Sequence, residues 1–340
     1  MRGGATYTYT VLNPERATAA IAVAPEGLWR PDPLLPPSLV SLRYNLVGQV
    51  FCTGFRVGHG RPRGAPEPVM NSVIHKLKSR LKGTWIHHAV WTYKNPPPKV
   101  HDGDNGKFVD EIDRNANYNW QTIEVMFRVL RRNSNCIDVG AHSGEILYHM
   151  VNISPLGRHY AFEPLPHVAQ KLAESFPQVI VHQAAVSDKS GEAEFLFVEN
   201  DPGYSGLRRR LYDRPDPKIT PIRVRVVTLD EVIPPDEKIA FIKIDIEGAE
   251  FHAIRGGIER IRRSKPVIVF EGGERSTGQY GVKPGELYQF VEEALEYDLS
   301  TMKRWLQRRP PYSREEFEEN WKHGHEYYFI AVPRKKTHQS

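Results

Sequence analysis

Cysteine and long apolar runs are both scarce in this 340-residue sequence. The two cysteines are Cys52 and Cys136, and the second lies in a short apolar stretch that predicts a buried strand. So few cysteines exclude a fold based on disulfides, and a reducing compartment is expected. No apolar run reaches the roughly 20 residues that a membrane-spanning helix needs, and the first residues lack the basic-then-apolar pattern of a secretory signal. The sequence therefore predicts a cytoplasmic protein without an integral membrane segment.

The charge of the chain is only mildly unbalanced, at a net +5. With 40% hydrophobic and 26% charged residues, the composition is that of an ordinary globular protein. The excess of positive charge would suit an acidic or sugar-like ligand, although an ordinary surface explains it more simply. No segment combines aromatic and basic residues in the manner of a nucleic-acid-binding module, so no nucleic-acid partner is expected.

The first 69 residues differ in composition from the rest. They contain many prolines and no sustained helical or strand period, which predicts disorder or a wrongly annotated extension. Met70 begins a basic amphipathic stretch with Val73, Leu77 and Leu81 at helical spacing. We therefore interpret Met70 as the true start, and peptides from residues 1–69 in mass spectra of the native protein would refute this.

Three segments follow residue 69. Residues 70–118 are expected to form a helical and loop-rich lead-in that packs on the core, and residues 336–340 a short tail. Between them, residues 119–335 alternate strand and helix patterns, which predicts an α/β domain with a mostly parallel sheet. The final strands, Leu299–Trp305 and Tyr327–Val332, are joined without an obvious packing helix, which predicts an antiparallel last strand. Two single helices are also predicted, over Phe251–Arg262 and Gly285–Tyr297.

A glycine-containing turn organises this domain. Asp138 stands at the end of a buried strand, and Gly140 and Gly144 bracket the turn into a helix. The spacing is not the G-x-G-x-x-G of dinucleotide enzymes, which disfavours a nicotinamide oxidoreductase. S-adenosylmethionine (SAM) has no phosphate and places its methionine part and its sulfonium at such a turn, where Asp138 can face the cation. A plain structural turn is the alternative.

The next two strands end in residues that suit an adenosine group. Glu163 follows the second strand, where one carboxylate can accept from both ribose hydroxyls. After the third strand, Ala185 and Val186 offer a small apolar face for an adenine ring. Asp188 could accept from the adenine amine or cap the turn that begins at Lys189, and the sequence leaves both possibilities open.

Acidic residues also follow two later strands. Asp245 and Glu247 come directly after the strand Ala240–Ile244, and Glu271 follows the strand Val267–Phe270. Because parallel strands end at the same edge of a sheet, these acids are expected to meet in one crevice.

Histidine pairs give no convincing metal site. His87 and His88 are adjacent, so their side chains point apart, and a solvent-facing pair is expected. His323 and His325 have a loose metal spacing without an apparent third ligand.

The loop that contains Arg208 interrupts the alternation of strands and helices as a substrate loop or lid would, although its arginines are explained more simply as a solvated charge run.

These motifs together resemble the FkbM family of SAM-dependent methyltransferases. The resemblance runs from about Trp120 to Glu274, with a weaker tail to Val332, and departs from the family at His142, where Asn is usual, and at Ile146, often aromatic. It rests on six stretches: Ile137–Gly144, Phe162–Pro164, Ala185–Asp188, Thr228–Asp230, Lys243–Glu250 and Phe270–Glu271. It implies a class I methyltransferase (Rossmann-like) fold over residues 119–335, with a mostly parallel seven-stranded sheet, helices on both faces and an antiparallel last strand.

The resemblance also implies roles for individual residues. Asp138, Gly140 and Gly144 would line the methionine end of SAM, Glu163 the ribose, and Ala185 and Val186 the adenine. Asp245, Glu247 and Glu271 would face the substrate.

The implied reaction is O-methylation of a sugar, glycan or secondary-metabolite hydroxyl. Asp245 or Glu247 could act as the base, with a pKa raised by clustering. Alternatively, Asp245 and Glu271 could bind a divalent cation. A non-catalytic module that binds SAM or another ligand is the other class of function that the sequence allows.

Overall fold

A computed structural model describes residues 81–96, 111–209, 216–324 and 326–334. The predictions for residues 1–69, for the start at Met70 and for the tail 336–340 lie outside the described residues. No helix within the described ranges combines the length and the apolar character needed to cross a bilayer.

Strands and helices alternate along the described chain. In order they are α1 (Trp85–Lys94), α2 (Glu111–Val129), β1 (Asn135–Val139), α3 (Glu145–Ile153), β2 (His159–Phe162), α4 (Pro166–Ser175), β3 (Val179–His182), β4 (Ala185–Val186), β5 (Gly191–Val198), β6 (Ile219–Val227), α5 (Leu229–Val232), β7 (Ile239–Ile244), α6 (Glu250–Arg255), α7 (Ile258–Ser264), β8 (Val267–Glu271), α8 (Glu274–Thr277), α9 (Pro284–Gln289), β9 (Tyr297–Thr301), α10 (Met302–Leu306), α11 (Arg314–His323) and β10 (Tyr328–Pro333).

The main sheet formed by the described residues has seven strands in the order β3-β2-β1-β7-β8-β10-β9. Strands β3, β2, β1, β7 and β8 pair in parallel, whereas β10 runs antiparallel to both β8 and β9. This confirms the expected mostly parallel sheet with an antiparallel last strand. The strand order reverses between β1 and β7, and at such a point two neighbouring loops diverge and leave a crevice.

The central strands are buried on both faces, as their continuous apolar sequences predict. Ile137 and Val139 of β1 belong to one apolar cluster, whereas Cys136, a free thiol, belongs to the cluster on the opposite face. The second of these clusters includes residues of α2, α3 and α10. Two packed layers around one sheet therefore fix the strand ends that surround the crevice.

A smaller sheet of three strands, in the order β4-β6-β5, lies in the same described region. Strands β5 and β6 form an antiparallel ribbon in which Gly191 pairs with Val226 and Val198 with Ile219. Residues 201–207, from the connection between these strands, reach the crevice described below.

The predicted helix Phe251–Arg262 is wrong as a single element. It is divided into α6 and α7 at Gly256 and Gly257. A Cβ atom at Gly256 would lie 2.1 Å from the carbonyl oxygen of Ser187, so the backbone of another loop occupies the space of a side chain. Sequence periodicity continued across this break because the apolar face continues on α7.

The boundaries around β9 were also predicted wrongly. The expected helix Gly285–Tyr297 is α9 followed by a π-helical segment, Phe290–Ala294, and Tyr297 already belongs to β9. The expected strand Leu299–Trp305 ends at Thr301, whose side chain accepts from the backbone N–H of Arg304 and caps α10.

A packing helix connects β9 to β10, in a charged segment that was expected to be helical in part but to contain no obvious packing helix. Helix α11 begins with a capping box in which Ser313 and Glu316 bond each other's backbone N–H groups. It buries Phe317 and Trp321 almost completely. The capping pattern was present in the sequence but was obscured by the high charge of this segment.

The lead-in is more helical, and its histidines less exposed, than predicted. Helix α1 is capped by Thr84, and α2 begins at Glu111, within the segment that was expected to be a helical and loop-rich lead-in. His88 is not a solvent-facing residue. Its Nε2 lies 3.0 Å from Glu124 Oε1, and its ring stacks on Phe127 with centroids 4.5 Å apart. This contact ties α1 to α2.

Candidate active site

A cleft of about 810 Å³ lies at the carboxyl ends of β1, β2, β7 and β8. Eight of the predicted site residues line it: Asp138, Gly140, Glu163, Ala185, Val186, Asp245, Glu247 and Glu271. Gly144 and Asp188 are outside this lining. The roles proposed for all ten residues stay predictions, but the fold brings eight of them to one place.

The turn after β1 is shaped by its two glycines. Gly140 has a φ of 76°, and a Cβ there would lie 1.9 Å from the backbone oxygen of Asp245. The loops after β1 and β7 can therefore touch only because this position lacks a side chain. Gly144 has a φ of 81° and faces the ring of Phe176, where a Cβ would lie 2.6 Å from a ring carbon. Its role in the structure is the packing of α3 against that ring.

Asp138 is a buried acid that lies beside the ammonium of Lys243. It is 1% exposed, and Lys243 Nζ lies 3.5 Å from its Oδ1, beyond the usual range of a hydrogen bond. Burial raises its pKa to about 6, against the attraction of the Lys243 ammonium. A buried carboxylate that faces a cleft and whose nearest ammonium is 3.5 Å away suits a further cationic ligand group. The sulfonium or the amine of SAM would be such a group.

Lys243 links the two sides of the cleft and was missed by the sequence analysis. Its Nζ donates to the carbonyl of Gly140 at 3.0 Å. The same nitrogen lies 3.5 Å from Asp138 Oδ1 and 3.4 Å from Asp245 Oδ2. Burial opposes its charge, but Asp245 and Asp138 together raise its pKa, so it is an ammonium. Its position in a strand of apolar residues made it look like a structural residue.

Asp245 is held by two donors on one oxygen. The hydroxyl of Tyr328 donates to Oδ2 at 2.5 Å, and Lys243 approaches the same atom. Burial opposes ionisation, but the charge of Lys243 and the hydrogen bonds of Tyr328 and Glu271 lower the pKa of Asp245. The expectation that clustering would raise this pKa is therefore wrong, because the sequence analysis did not foresee the ammonium of Lys243. Asp245 is a carboxylate at neutral pH.

Three acids converge where the sequence analysis expected them. Oxygens of Asp245, Glu247 and Glu271 all lie within 4.8 Å of one another. Glu247 adopts a left-handed conformation with a φ of 62°, and Gly248 follows with a φ of 108°. A Cβ at Gly248 would lie 2.1 Å from the carbonyl oxygen of Ser276. The close packing of this loop against the segment after β8 thus brings Glu247 to the other two acids.

Glu163 is fixed by backbone donors. Its two oxygens accept from the N–H groups of His142 and Leu165, each at 3.0 Å. Burial raises its pKa, although these bonds oppose the rise. The acid is therefore oriented at the edge of the cleft while its oxygens keep lone pairs for further donors.

Asp188 lies 3.5 Å from Arg255 Nη2. The sequence analysis offered the adenine amine or the turn at Lys189 as its partner and did not consider this arginine.

The opposite end of the cleft has aromatic and amide walls. Tyr118 stacks on Tyr328 with ring centroids 4.8 Å apart, and its hydroxyl donates to Glu326. The hydroxyl of Tyr327 donates to Asn115 Oδ1 at 2.9 Å. The short 3-10 helix Pro202–Tyr204 lies on the same cleft. Arg208 donates to the carbonyl of Gln279 instead of pointing freely into solvent.

Comparison with known proteins places this site in a family. Residues 138–299 match the family model of the methyltransferase FkbM domain. That segment belongs to the FkbM methyltransferase family. The FkbM domain contains both the glycine turn and the acids after β7 and β8. Together with the strand order, the match confirms the expected class I methyltransferase fold.

Several solved structures are similar to the chain. A methyltransferase FkbM from Methylobacillus flagellatus KT is 17% identical, with a TM-score of 0.38 over 62% of this chain and 48% of that chain. A TehB-like SAM-dependent methyltransferase from Corynebacterium glutamicum is 11% identical, with a TM-score of 0.33 over 63% and 88%. Aeropyrum pernix fibrillarin with natively bound SAM is 13% identical, with a TM-score of 0.30 over 60% and 68%.

The match to the FkbM structure spans about half the length of that protein. Among curated proteins, no match to this chain was found. The family match therefore indicates a methyltransferase domain, whereas it does not identify the methyl acceptor.

Proposed function

We propose that the protein is a SAM-dependent O-methyltransferase whose acceptor is a hydroxyl of a sugar, glycan or secondary metabolite. The observation that supports this proposal most is the meeting of Asp245, Glu247 and Glu271 within 4.8 Å in the cleft that also contains Asp138. A neutral hydroxyl needs an acceptor for its proton, and Asp245, a carboxylate at neutral pH, supplies one. The amide and tyrosine walls suit a ligand with several hydroxyls.

The residues of the cleft fit SAM. Glu163, at the end of β2, would accept from the ribose hydroxyls, and the buried side chains of Ala185 and Val186 would contact the adenine. Asp138 offers a buried carboxylate that faces the cleft and lies 3.5 Å from Lys243 Nζ. When bound, SAM supplies an activated methyl group on a positively charged sulfur. The volume of about 810 Å³ is large enough for a cofactor and a small acceptor.

The chain's own contribution is to orient the hydroxyl and accept its proton. Tyr328 and Lys243 fix one oxygen of Asp245, so that the carboxylate cannot rotate away from the cleft. The hydroxyl of the acceptor would donate to this acid group as its oxygen takes the methyl group that SAM would supply, with S-adenosylhomocysteine as the leaving product of the broken S–CH3 bond. Its proton would pass to the acids and then to solvent. Alignment contributes much of the rate because the leaving group is already activated.

We expect the reaction to need no metal ion. Three carboxylates within 4.8 Å of one another would suit a hard divalent cation. However, the ammonium of Lys243 lies 3.4 Å from Asp245, where it would repel such a cation. The fixed charge of Lys243 takes the place of a metal in keeping Asp245 ionised.

Transfer of a tritiated methyl group from SAM to candidate sugars and metabolites tests the proposal. Asp245→Asn should lower turnover about 100-fold or more, since acid–base groups typically contribute 10²–10⁴-fold, while the affinity for SAM changes little. Asp236→Asn, at an exposed acid far from the cleft, is the matched control. Full turnover in the Asp245 variant would remove this acid from the mechanism. SAM binding without transfer to any acceptor would favour a non-catalytic binding module.

A further inference from the structure

Glu250 is a buried acid outside the cleft lining, and the mechanism above does not use it. It is the first residue of α6 and is 1% exposed. Its Oε1 accepts from the backbone N–H of Ile246 at 2.9 Å and from that of Gly248 at 3.1 Å. These two amides lie on either side of Glu247. A single oxygen of Glu250 therefore fixes both ends of the turn from which the Glu247 side chain extends to the cleft.

The backbone conformation of Glu247, which the hydrogen bonds of Glu250 hold in place, is unfavourable by itself. Glu247 has a φ of 62°, which is uncommon for a residue with a side chain. Such conformations persist where the surrounding structure fixes them, and they cluster at functional sites. Gly248, packed against the carbonyl of Ser276, is fixed on one side. The acceptor oxygen of Glu250 holds the amides on both sides of the strained residue.

We propose that Glu250 is a positioning residue for methyl transfer. Through the amides of Ile246 and Gly248 it holds Glu247 within reach of Asp245 and Glu271, an inference that rests on the proposed function of those acids. The alternative is that Glu250 only stabilises α6, whose preceding residue, Ala249, has no side chain that can cap the helix. Removal of the acceptor oxygen of Glu250 distinguishes the two roles. The spacing of the three acids should change if Glu250 positions Glu247, and it should be retained if Glu250 only stabilises α6.

Glu250→Gln and Glu250→Met separate these roles. Glutamine keeps an acceptor oxygen at the same reach, whereas methionine has similar volume without one. We expect kcat of the glutamine variant to stay within about threefold of the wild type and kcat of the methionine variant to fall about 100-fold, as misplacement by about 1 Å can cause. The affinity for SAM, measured by titration calorimetry, should be unchanged in both. Glu259→Met, at an exposed position of α7, is the control.

Two results in the kinetic experiment would overturn the proposal. One is an unchanged kcat in Glu250→Met, and the other is an equal loss of kcat in the glutamine and methionine variants. If the methionine variant does not fold, Glu250→Asp is measured instead. Its side chain is one methylene shorter and cannot reach both amides, so the same loss of kcat is expected.

Crystal structures of the variants with S-adenosylhomocysteine (SAH) keep the proposal separate from the proposed function. We expect the left-handed φ of Glu247 and the spacing of the three acids to be retained in Glu250→Gln and lost in Glu250→Met. Retention in the methionine variant would overturn the positioning role, even if methyl transfer were fully confirmed. If no acceptor were methylated by the wild type, the proposed function would fail, and this structural comparison would still decide whether Glu250 shapes the loop.

Discussion

At the scale of single residues, charge determines what the cleft can bind. Asp138, Lys243 and Asp245 alternate in sign, with the ammonium 3.5 Å and 3.4 Å from the two acids. The pKa of Asp245 is lowered, whereas burial raises that of Asp138 to about 6. The two aspartates of the cleft therefore differ in their protonation. Asp245 is ionised and can accept a hydrogen bond from a donor, whereas the ionised form of Asp138 would be stabilised by a bound cation.

The raised pKa of Asp138 predicts a pH dependence of SAM binding. Ionised Asp138 attracts the cationic sulfonium, so the affinity for SAM should rise as the pH increases through about 6. Between pH 5 and pH 8 the increase should be about tenfold, because an acid with that pKa is about one-tenth ionised at pH 5. Titration calorimetry with SAM and with SAH, which has a neutral sulfur, measures the difference.

Groups that contact the shared adenosine part, such as Glu163, affect both ligands and cancel in this comparison. Asp138→Asn should bind SAM more weakly and lose the pH-dependent difference between the ligands. The same pH dependence for SAH as for SAM would contradict a role of Asp138 toward the sulfonium.

The charge of Lys243 leads to a second prediction, for metal dependence. Methyl transfer should continue after treatment with EDTA, because the ammonium occupies the electrostatic position of a cation beside Asp245. Activity is measured before and after EDTA, with added Mg²⁺ and Mn²⁺ as controls. Loss of activity with EDTA and recovery with either metal would show that the three acids bind an ion.

At the scale of elements, close approaches between backbones decide where helices end and loops turn. The break between α6 and α7 is an example, since Gly256 packs against the carbonyl of Ser187. This contact joins α6, which carries Glu250, to the loop that follows β4, next to Ala185 and Val186 of the cleft. The glycine is therefore expected to matter for stability although it is far from the acids.

Substitution of Gly256 tests this contact. Gly256→Ala should lower the free energy of unfolding by about 1–3 kcal/mol, the usual cost of inserting a methyl group into a filled space. Gly278→Ala is the matched control, because Gly278 has ordinary right-handed helical φ and its nearest neighbour is a side-chain atom 3.5 Å away. Urea unfolding measures both variants. Equal stabilities of the two would contradict the account of the break.

Elements with one clear pattern could be predicted from the sequence, and those set by tertiary contacts could not. The continuous apolar runs of β1, β2, β7 and β8 predicted the strands. They thereby also predicted that the acids at the strand ends lie at one edge of the sheet. The start of α10 depends on capping by Thr301, and the break at Gly256 depends on contact with a backbone that is distant in the sequence. Tyr328 was missed for a similar reason. It is 83 residues from Asp245 in the sequence, and only the antiparallel pairing of β10 with β8 brings it there.

At the scale of the whole molecule, the position of the cleft follows from the topology. The strand order reverses between β1 and β7, so the loops after these strands diverge, and open α/β sheets bind their ligands at such a point. The smaller sheet, the first half of α2 and the segment around the end of α11 add walls to this crevice. The topology was predictable from the order of elements, whereas the chemistry of the walls depends on segments that are distant in the sequence.

A crystal structure of the protein with SAH tests the central claim most directly. We predict that the sulfur lies in the cleft between Asp138 and the three acids Asp245, Glu247 and Glu271, with the ribose at Glu163 and the adenine against Ala185 and Val186. Binding of SAH at another place on the protein, or a cleft that stays empty at saturating SAH, would contradict the account.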